Sequence, residues 1–263
     1  MGVPGGHPAV LAHCFLGHSG GWKRLMGRLQ SPLDALAFDL PGHGRSAPWD
    51  GGDLHGQATA ALAALAEQSG APALVIGHSF GATLALRQAL EAPQTVRALV
   101  LIEPVLFAAA RDEPEFAEQR LADAPMRAAM TRDDMAEAAA LFFALNGDAE
   151  GWAALPPAAR AQMIAQMPMM RVTAPVLYED SAGLVVPGRL EALDCPVLLL
   201  AGAGSPPIFG AVVRALSRRL PQAVAHRVAG AGHMAPITHP AAVAGLIDDW
   251  LQPLLQTAKP RTG

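Results

Sequence analysis

The sequence predicts an α/β fold, in which a mostly parallel sheet is covered by helices on both faces. Short apolar runs alternate along the chain with longer alanine- and leucine-rich segments at helical spacing, which is the pattern of parallel strands joined by crossover helices. Hydrophobic residues make up 51% of the 263 positions and charged residues 16%, so the chain can bury a large core. In such a sheet, reactive residues gather beyond the carboxyl ends of the strands.

Six segments carry the strand pattern and five carry the helix pattern. The predicted strands are residues 9–12, 35–38, 73–76, 96–102, 196–202 and 223–228. The predicted helices are residues 22–29, 53–69, 82–90, 208–220 and 240–255, followed by a loose tail over 257–263. Asp53 stands where an N-cap of the second helix is expected, and Gly70 ends that helix.

The alternation stops between residues 104 and 190, where helical segments broken by prolines follow one another. We therefore predict an α/β core of residues 1–103 and 191–263, with a helical cap inserted at 104–190. Because methionine is an adaptable apolar residue, the methionines of the insert form either its own core or a deformable roof over a site. Seven of the ten methionines lie there: Met126, Met130, Met135, Met163, Met167, Met169 and Met170.

Charge and composition argue against several classes of protein. The formal net charge is −4 and no dense Lys/Arg run occurs, which disfavours a nucleic-acid surface and fits a small, neutral or weakly charged substrate. Cys14 and Cys195 lie far apart beside apolar runs, so free thiols in a reducing cytoplasm are expected. With no signal-like start and no apolar stretch of bilayer length, we predict a cytoplasmic protein without membrane insertion. Both a monomer and a homodimer stay open.

Residues 77–81 read Gly-His-Ser-Phe-Gly and lie between the third predicted strand and an Ala/Leu-rich helix. A sharp strand-to-helix turn strains the backbone of Ser79 and leaves no room for side chains at the two glycines. The serine hydroxyl is then presented at the positive end of a helix. We predict that Ser79 is a nucleophile; the alternative is a serine that only caps the helix.

Four motifs occur in order along the chain. They are His13-Cys14-Phe15 after the first strand, an Asp-x-Pro-Gly-x-Gly-x-Ser loop at 39–46, the turn at 77–81 and a Gly-x-Gly-His sequence at 230–233. In this combination the chain resembles the α/β-hydrolase fold family and looks like a capped, esterase-like serine hydrolase. Members of that family usually begin with an antiparallel pair of strands. Only eight residues precede the first strand here, so a sheet with trimmed N-terminal strands is expected.

A serine nucleophile needs a general base, and His233 is the predicted one. It follows the last strand-like run in a Gly/Ala loop, and it comes after the nucleophile as the family order requires. His78 is its rival by proximity, but a side chain adjacent to Ser79 should point away from the hydroxyl and line the pocket or pack. His13 and His43 are expected to brace loops.

The carboxylate that orients the base is missing from its usual place in the sequence. In the family it usually follows the strand that corresponds to residues 196–202, but residues 202–207 contain no carboxylate. Some members place the acid one strand earlier, where this chain has Glu103 at the end of an apolar run. A carboxylate there is costly to bury without a partner, so Glu103 is the predicted acid. Asp180 is the second choice, and a dyad without an acid is the third.

The negative charge that develops on a carbonyl oxygen must be met by donors fixed in advance. The resemblance implies the backbone N–H groups of Phe80 and Phe15 as an oxyanion hole. Cys14 replaces the glycine that is usual before the second donor, and its side chain can alter the loop. Nothing around Cys14 in the sequence suggests the lowered pKa of a nucleophilic cysteine.

We predict a serine hydrolase that cleaves a small to medium, largely apolar carboxylic ester or thioester through an acyl-enzyme on Ser79. The substrate is a small molecule. No cofactor is expected, and the histidines show no metal-ligand spacing with cysteines or carboxylates, so no metal is expected either. The glycines at 39–46 lack the Gly-Lys-Ser/Thr ending of a phosphate-binding loop.

Two alternatives stay open. The same triad can serve carbon–carbon bond hydrolysis, enol-lactone opening or a lyase step on an acidic substrate, which would need basic residues in the pocket. The arginines available for this are Arg87, Arg111, Arg127, Arg171 and Arg189. The second alternative is a non-catalytic protein of the same fold that keeps the pocket for binding a ligand.

Overall fold

The protein is built on one sheet of six parallel strands in the order β2-β1-β3-β4-β5-β6. This computed structural model describes residues 1–146 and 149–256, so the tail expected at 257–263 lies outside the described residues. The strands are β1 (His7–Ala12), β2 (Leu33–Phe38), β3 (Ala73–His78), β4 (Val96–Ile102), β5 (Val197–Gly202) and β6 (Ala223–Val228). The predicted parallel α/β fold is confirmed.

Twelve α-helices lie within the described residues, and the predicted ones recur with small shifts at their ends. Residues 22–29 differ most: a 3₁₀ turn, Ser19–Trp22, leads into a four-residue helix that ends before Gly27. Glycine is a poor helix former, and Gly20, Gly21 and Gly27 bracket this segment. The first helices are α1 (Lys23–Met26), α2 (Leu54–Gln68) and α3 (Phe80–Glu91), and the last are α10 (Pro207–Arg219), α11 (Ala235–Thr238) and α12 (Pro240–Gln256).

Both faces of the sheet are buried, as a parallel sheet requires. On one face, α2, α3 and α10 pack against alternate strand residues such as Val75 and Leu99. On the other face, α1 and α12 pack against their neighbours, such as Ile76 and Val100. The central strands β3, β4 and β5 are almost entirely buried, so their carboxyl ends are held rigidly at one edge of the sheet.

Six further helices lie between β4 and β5, where the helical insert was predicted. They are α4 (Pro114–Ala122), α5 (Ala124–Thr131), α6 (Met135–Leu145), α7 (Ala149–Ala154), α8 (Pro157–Gln166) and α9 (Met170–Glu179). The division into a core and a cap at residues 104–190 stays a prediction, and its residues 147–148 and 257–263 lie outside the described part. Among the insert's methionines, Met126, Met130, Met167 and Met169 are buried.

The first described residues lie along the edge of β2. Within the described residues no strand precedes β1; instead, Gly2 forms an isolated antiparallel bridge with Asp34 of β2. The ammonium group of Met1 donates to the carbonyl of Ala35 at 2.5 Å, so these first residues protect the exposed edge of β2. No helix in the described part of the chain has the length and apolarity needed to cross a membrane.

Candidate active site

Ser79 occupies the turn between β3 and α3 with a backbone that is rare for a serine, at φ 57° and ψ −116°. A Cβ atom at Gly77 would collide with the backbone of Gly81, and one at Gly81 would collide with the carbonyl of Ala12. Both glycines are therefore required by close packing. The Ser79 side chain makes no capping hydrogen bond to α3, so its hydroxyl is free for another partner.

That partner is His233, which lies in the loop between β6 and α11. Its Nε2 is 3.0 Å from the Ser79 Oγ, and its Nδ1 is 3.1 Å from Oε2 of Glu103. The ring of Phe209 packs against the imidazole at a centroid distance of 4.4 Å and covers it on one side. Ser79, His233 and Glu103 are 5%, 4% and 0% exposed, so the structure brings the three predicted residues together in one buried hydrogen-bonded chain.

Glu103 follows β4 directly and has a left-handed backbone, with φ 52°. Its Oε1 accepts hydrogen bonds from the backbone N–H of Gly202 and from the Ser205 hydroxyl, the latter at 2.9 Å. These donors lie at the end of β5 and just after it, in residues 202–207, where the family pattern places the acid. A buried carboxylate is stable when its oxygens are hydrogen-bonded, and here both oxygens of Glu103 have partners.

Asp180, the second choice for the acid, lies elsewhere. It ends α9 with a left-handed backbone, and its carboxylate accepts from the N–H groups of Leu184 and Val185 at 2.6 and 3.0 Å. The hydrogen bonds of Asp180 are therefore those of a turn residue. Among the described residues the carboxylate that meets His233 is Glu103.

The two backbone donors predicted for the oxyanion hole border the nucleophile. Neither the N–H of Phe15 nor that of Phe80 has a hydrogen-bond acceptor within the described residues. The Phe15 ring packs edge-on against Phe80 and Phe142 at 6.2 and 6.0 Å, which fixes the loop that carries its N–H. Burial raises the pKa of the Cys14 thiol to about 12, so the neighbouring cysteine is a protonated thiol rather than a nucleophile.

His13 and His43 hold this loop against the chain that follows β2. The His13 Nε2 accepts from the N–H of Leu40 at 3.0 Å, and the His43 Nε2 accepts from the N–H of Leu16 at 3.2 Å. The Nδ1–H of His13 donates to the carbonyl of Cys14, and the Nδ1–H of His43 donates to the carbonyl of Pro41. Burial lowers the pKa of His13 to about 4, so at neutral pH this ring can accept the bond that it makes.

Asp39 anchors the same region from the end of β2. Burial acts to raise its pKa, but hydrogen bonds from the backbone N–H groups of Ser19 and Arg45 outweigh that effect and hold the pKa at about 2. A Cβ atom at Gly44, whose φ is 51°, would collide with the Asp39 carboxylate. The glycines of residues 39–46 thus shape a rigid turn.

His78 has a role that the sequence did not reveal. Its Nε2–H donates to the backbone carbonyl of His233 at 2.8 Å, so the residue before the nucleophile fixes the loop of the histidine. Burial lowers the pKa of His78 to about 3 and keeps the ring neutral. The contact joins residues 155 positions apart, and the only sequence signal was that His78 adjoins Ser79.

Two cavities meet at Ser79, and Phe15, Phe142 and Asn146 line both. The smaller measures about 220 Å³ and the larger about 470 Å³. The smaller also has His233 in its wall, and its other members are His13, Cys14, Leu16, Gly17, His18, Gly21, Trp22, His78, Phe143, Met163, Met234, Pro236 and Ile237. The larger runs under the insert and is lined near the core by Phe80, Val105, Phe107 and Phe209.

The larger cavity also contains a set of polar side chains from the insert, which we term the polar cluster. Its members are Gln119, Arg120, Asp123, Arg127 and Tyr178. Among the arginines that the sequence made available, Arg127 and Arg171 line this cavity, whereas Arg87, Arg111 and Arg189 are absent from its lining. Sequence reasoning missed Arg120 and Asp123, since nothing in a helical pattern shows which polar residues face inward.

Within the ranges that the structure describes, no group of three or more His, Cys, Asp or Glu side chains is arranged to hold a metal ion. Cys14 and Cys195 are both free thiols, as predicted.

The chain is similar to proteins of known family. Residues 9–246 match the model of the Alpha/beta hydrolase family. The chain is 27% identical over 253 residues to "Esterase YbfF" of Escherichia coli, covering 93% of this chain and 92% of that protein. It is 38% identical over 107 residues to "Lipase LipV" of Mycobacterium tuberculosis, covering 39% of this chain and 40% of that protein.

A hydrolase from Pseudomonas aeruginosa PA01 has a similar structure, with a TM-score of 0.74 and 19% sequence identity over 95% of this chain and 92% of that chain. At that identity the likeness concerns the fold alone. Among the curated relatives with the strongest matches, the matched segment spans only 28% to 40% of their length.

Proposed function

This chain belongs to the alpha/beta hydrolase family, and from that premise we propose that it is a serine hydrolase of carboxylic esters or thioesters with a small to medium, largely apolar acyl group. The observation that carries the proposal is the chain of hydrogen bonds Ser79–His233–Glu103, at 3.0 and 3.1 Å, where two cavities meet. Esterase and lipase names among the relatives support the same class of reaction.

In this proposal Ser79 attacks the carbonyl carbon while the Nε2 of His233 takes its proton. The proton then passes from His233 to the leaving alcohol or thiol. Water, deprotonated by His233, next attacks the acyl carbon, and the proton returns to the Ser79 oxygen as the acid is released. Glu103 holds the imidazole with Nδ1–H toward its own Oε2, so that Nε2 faces the serine. The two bonds that Oε1 accepts from Gly202 and Ser205 keep the carboxylate in that orientation.

The N–H groups of Phe15 and Phe80 stabilise the oxyanion. Two features support this role: both donors border Ser79, and neither has an acceptor among the described residues. Donors that are fixed before the reaction need no reorganisation when the charge develops, which makes this electrostatic contribution large. Each donor of this kind typically accounts for a factor of about 10² to 10³ in turnover.

The two cavities suggest where each part of the substrate lies. The leaving group must reach Nε2 of His233, and His233 lines only the smaller cavity. Phe80, whose N–H is a proposed oxyanion donor, lines only the larger one. We therefore assign the leaving group to the smaller cavity and the acyl chain to the larger, whose volume of about 470 Å³ suits a small to medium acyl group.

A second candidate function is favoured by one observation, the presence of Arg120, Arg127 and Arg171 in the larger cavity. Arginines are the preferred partners of carboxylates, so the same triad acting on an acidic substrate remains the alternative, as a carbon–carbon hydrolase, a lactone-opening enzyme or a lyase. A binding protein without turnover is the remaining alternative.

The test of catalysis is covalent labelling with a fluorophosphonate probe. The wild-type protein is expected to be labelled, and Ser79→Ala is expected to lose the label while keeping its circular dichroism spectrum. A folded wild-type protein that is never labelled would contradict the serine hydrolase proposal. A panel of esters with and without an acidic acyl group then separates the two enzymatic candidates, because only the second predicts that the acidic esters are preferred.

A further inference from the structure

The larger cavity changes character along its length. At its Ser79 end the walls are aromatic and apolar, with Phe15, Phe80 and Phe142 around the nucleophile. The polar cluster lies at the other end: the rings of Phe209 and Phe107 stand between His233 and Tyr178, with centroid steps of 4.4, 6.1 and 4.7 Å. No member of the polar cluster lines the smaller cavity. The polar end is therefore remote from the leaving-group side.

Asp123 is the buried member of the polar cluster. It is 1% exposed and joins α4 to α5, at a position where a side-chain oxygen usually caps the following helix. Asp123 makes no such cap. Its Oδ1 accepts from Nε of Arg127 at 2.9 Å, whereas its Oδ2 has no hydrogen-bond partner among the described residues. The Tyr178 hydroxyl lies near this carboxylate, since the Asp123 charge, after burial, raises the pKa of Tyr178. Oδ2 is thus a buried carboxylate oxygen in the cavity wall that makes no hydrogen bond to the described residues.

Arg120 supplies the complementary chemistry. Its guanidinium lies over the Tyr178 ring at 4.7 Å and is 3.9 Å from Oδ2 of Asp123, which is an ion-pair distance rather than a hydrogen bond. The Arg120 side chain lines the cavity and is 35% exposed, so its N–H groups can reach a bound ligand. The cavity therefore places hydrogen-bond donors next to this acceptor oxygen.

The four simplest ends of an acyl chain fare differently at this position. A methyl group leaves the buried Asp123 oxygen without a donor, which is costly for a carboxylate that is withdrawn from water. A carboxylate suits Arg120 but brings a second negative charge beside a buried carboxylate that it cannot hydrogen-bond. An ammonium suits Asp123 but faces Arg120 and Arg127. A neutral group that both donates and accepts satisfies both sides.

We propose that the polar cluster is a recognition subsite for a neutral group that donates and accepts hydrogen bonds, such as a hydroxyl or a primary carboxamide, at the end of the acyl chain remote from the scissile bond. The inference rests on the proposed function and specifies its substrate class. The favoured substrates are esters with an apolar chain and a polar tip. The tip donates to Oδ2 of Asp123 and accepts from Arg120.

The test compares p-nitrophenyl esters of equal chain length that end in methyl, hydroxyl, carboxamide, carboxylate or ammonium, over a series of lengths. At the best length the hydroxyl or carboxamide ester is expected to exceed the methyl ester at least about tenfold in kcat/KM, because a site built to hydrogen-bond a substrate rejects an analogue without the group. Equal rates for the methyl and neutral polar tips overturn the proposal, and so does a preference for the carboxylate or the ammonium ester.

Variants locate the preference in the polar cluster. Asp123→Asn and Arg120→Met are each expected to reduce the ratio of polar-tip to methyl-tip kcat/KM about fivefold or more. Arg120→Met serves if Asp123→Asn does not fold. The matched control is Arg132→Gln, an exposed arginine of the insert that pairs with Glu137 at 2.6 Å outside the cavity. An unchanged ratio in both cluster variants overturns the proposal.

Different results would contradict the polar-cluster subsite and the serine hydrolase function. A protein whose Ser79 is labelled by the fluorophosphonate and which hydrolyses the methyl esters without preferring polar tips keeps the proposed function and overturns the subsite. A folded protein that is neither labelled nor active on any ester overturns both.

Discussion

Glu103 and Asp123 are two carboxylates that the fold withdraws from water almost equally, at 0% and 1% exposure. Both oxygens of Glu103 have partners, namely His233, the Gly202 N–H and the Ser205 hydroxyl. Only one oxygen of Asp123 has a hydrogen bond, from Arg127. We call Glu103 the closed carboxylate, because both of its oxygens are hydrogen-bonded, and Asp123 the open carboxylate, because one of its oxygens is not.

The difference follows from the elements that carry the two residues. Glu103 ends β4, and the adjacent strand β5 ends beside it, so fixed backbone groups meet its carboxylate. Asp123 joins two short helices, and the groups nearest its carboxylate are the long, partly exposed side chains of Arg120 and Arg127. At the end of a parallel sheet, backbone groups of a neighbouring strand can satisfy a buried carboxylate. At a helix junction of the insert, one carboxylate oxygen can stay without a donor and be available to a ligand.

The largest expected effect tests the closed carboxylate. Glu103→Gln is expected to lower kcat by about four orders of magnitude, because a neutral amide neither fixes the imidazole tautomer nor stabilises the imidazolium. The measurement is the steady-state rate on an ester that the wild type cleaves. Asp180→Asn is the control and should change kcat less than about twofold, since the Asp180 carboxylate serves only its own turn. A nearly active Glu103→Gln with an impaired Asp180→Asn would reverse the assignment.

Acid should destabilise the core through its histidines, since all nine histidines lie outside residues 104–190. Burial lowers the pKa of His13 to about 4 and the pKa values of His55 and His78 to about 3, from 6.5. Below pH 6.5 the unfolded chain binds more protons at these sites than the folded one. Their contribution to stability is therefore complete above pH 6.5 and is lost as the pH falls toward 3 to 4.

Urea denaturation at pH 7 and at pH 4.5 measures this loss, which should be on the order of 1–3 kcal/mol for each of the three histidines. His55→Leu should make the decline less steep, because it removes one of the three titrating rings. Leucine suits the site because the His55 ring packs edge-on against Phe80 at 5.3 Å and its Nε2 has no partner in the described residues, although its Nδ1 loses the 3.1 Å contact with Arg87. A decline that is unchanged in this variant would exclude His55 as one of its sources.

Much of the core could be predicted from the sequence, since buried parallel strands and a glycine-bounded turn leave local signals. The bounds of β4 agree with the prediction, and the absence of a carboxylate in residues 202–207 points to Glu103 as the acid. The Ser205 and Gly202 bonds to Glu103 could not be predicted, because they depend on how β4 and β5 align. The role of Asp123 could not be predicted, because its sequence position is that of an ordinary helix junction. Its burial depends on how α4, α5 and α9 pack.

A smaller effect is expected where the closed carboxylate loses one of several donors. Ser205→Ala removes one hydrogen bond to Oε1 of Glu103 but leaves the Gly202 N–H and His233 in place. We expect kcat to fall by about twofold to tenfold, in keeping with roughly 0.5–1.5 kcal/mol for one hydrogen bond among several. Ser205→Thr, which restores the hydroxyl, should recover most of the rate. A loss as large as that of Glu103→Gln would mean that Ser205 alone orients the acid.

The smallest effect should come from the open carboxylate. Asp123→Asn is expected to change the free energy of unfolding by about 1 kcal/mol or less, although breaking a buried ion pair typically costs about 3–5 kcal/mol. The reason is that the side chains of Arg120 and Arg127 are 35% and 45% exposed, so water can solvate the charges that the substitution leaves. Urea denaturation of this variant beside Glu103→Gln makes the comparison direct. If Asp123→Asn is the more destabilised of the two, Asp123 is a structural ion-pair partner and its open oxygen is not reserved for a ligand.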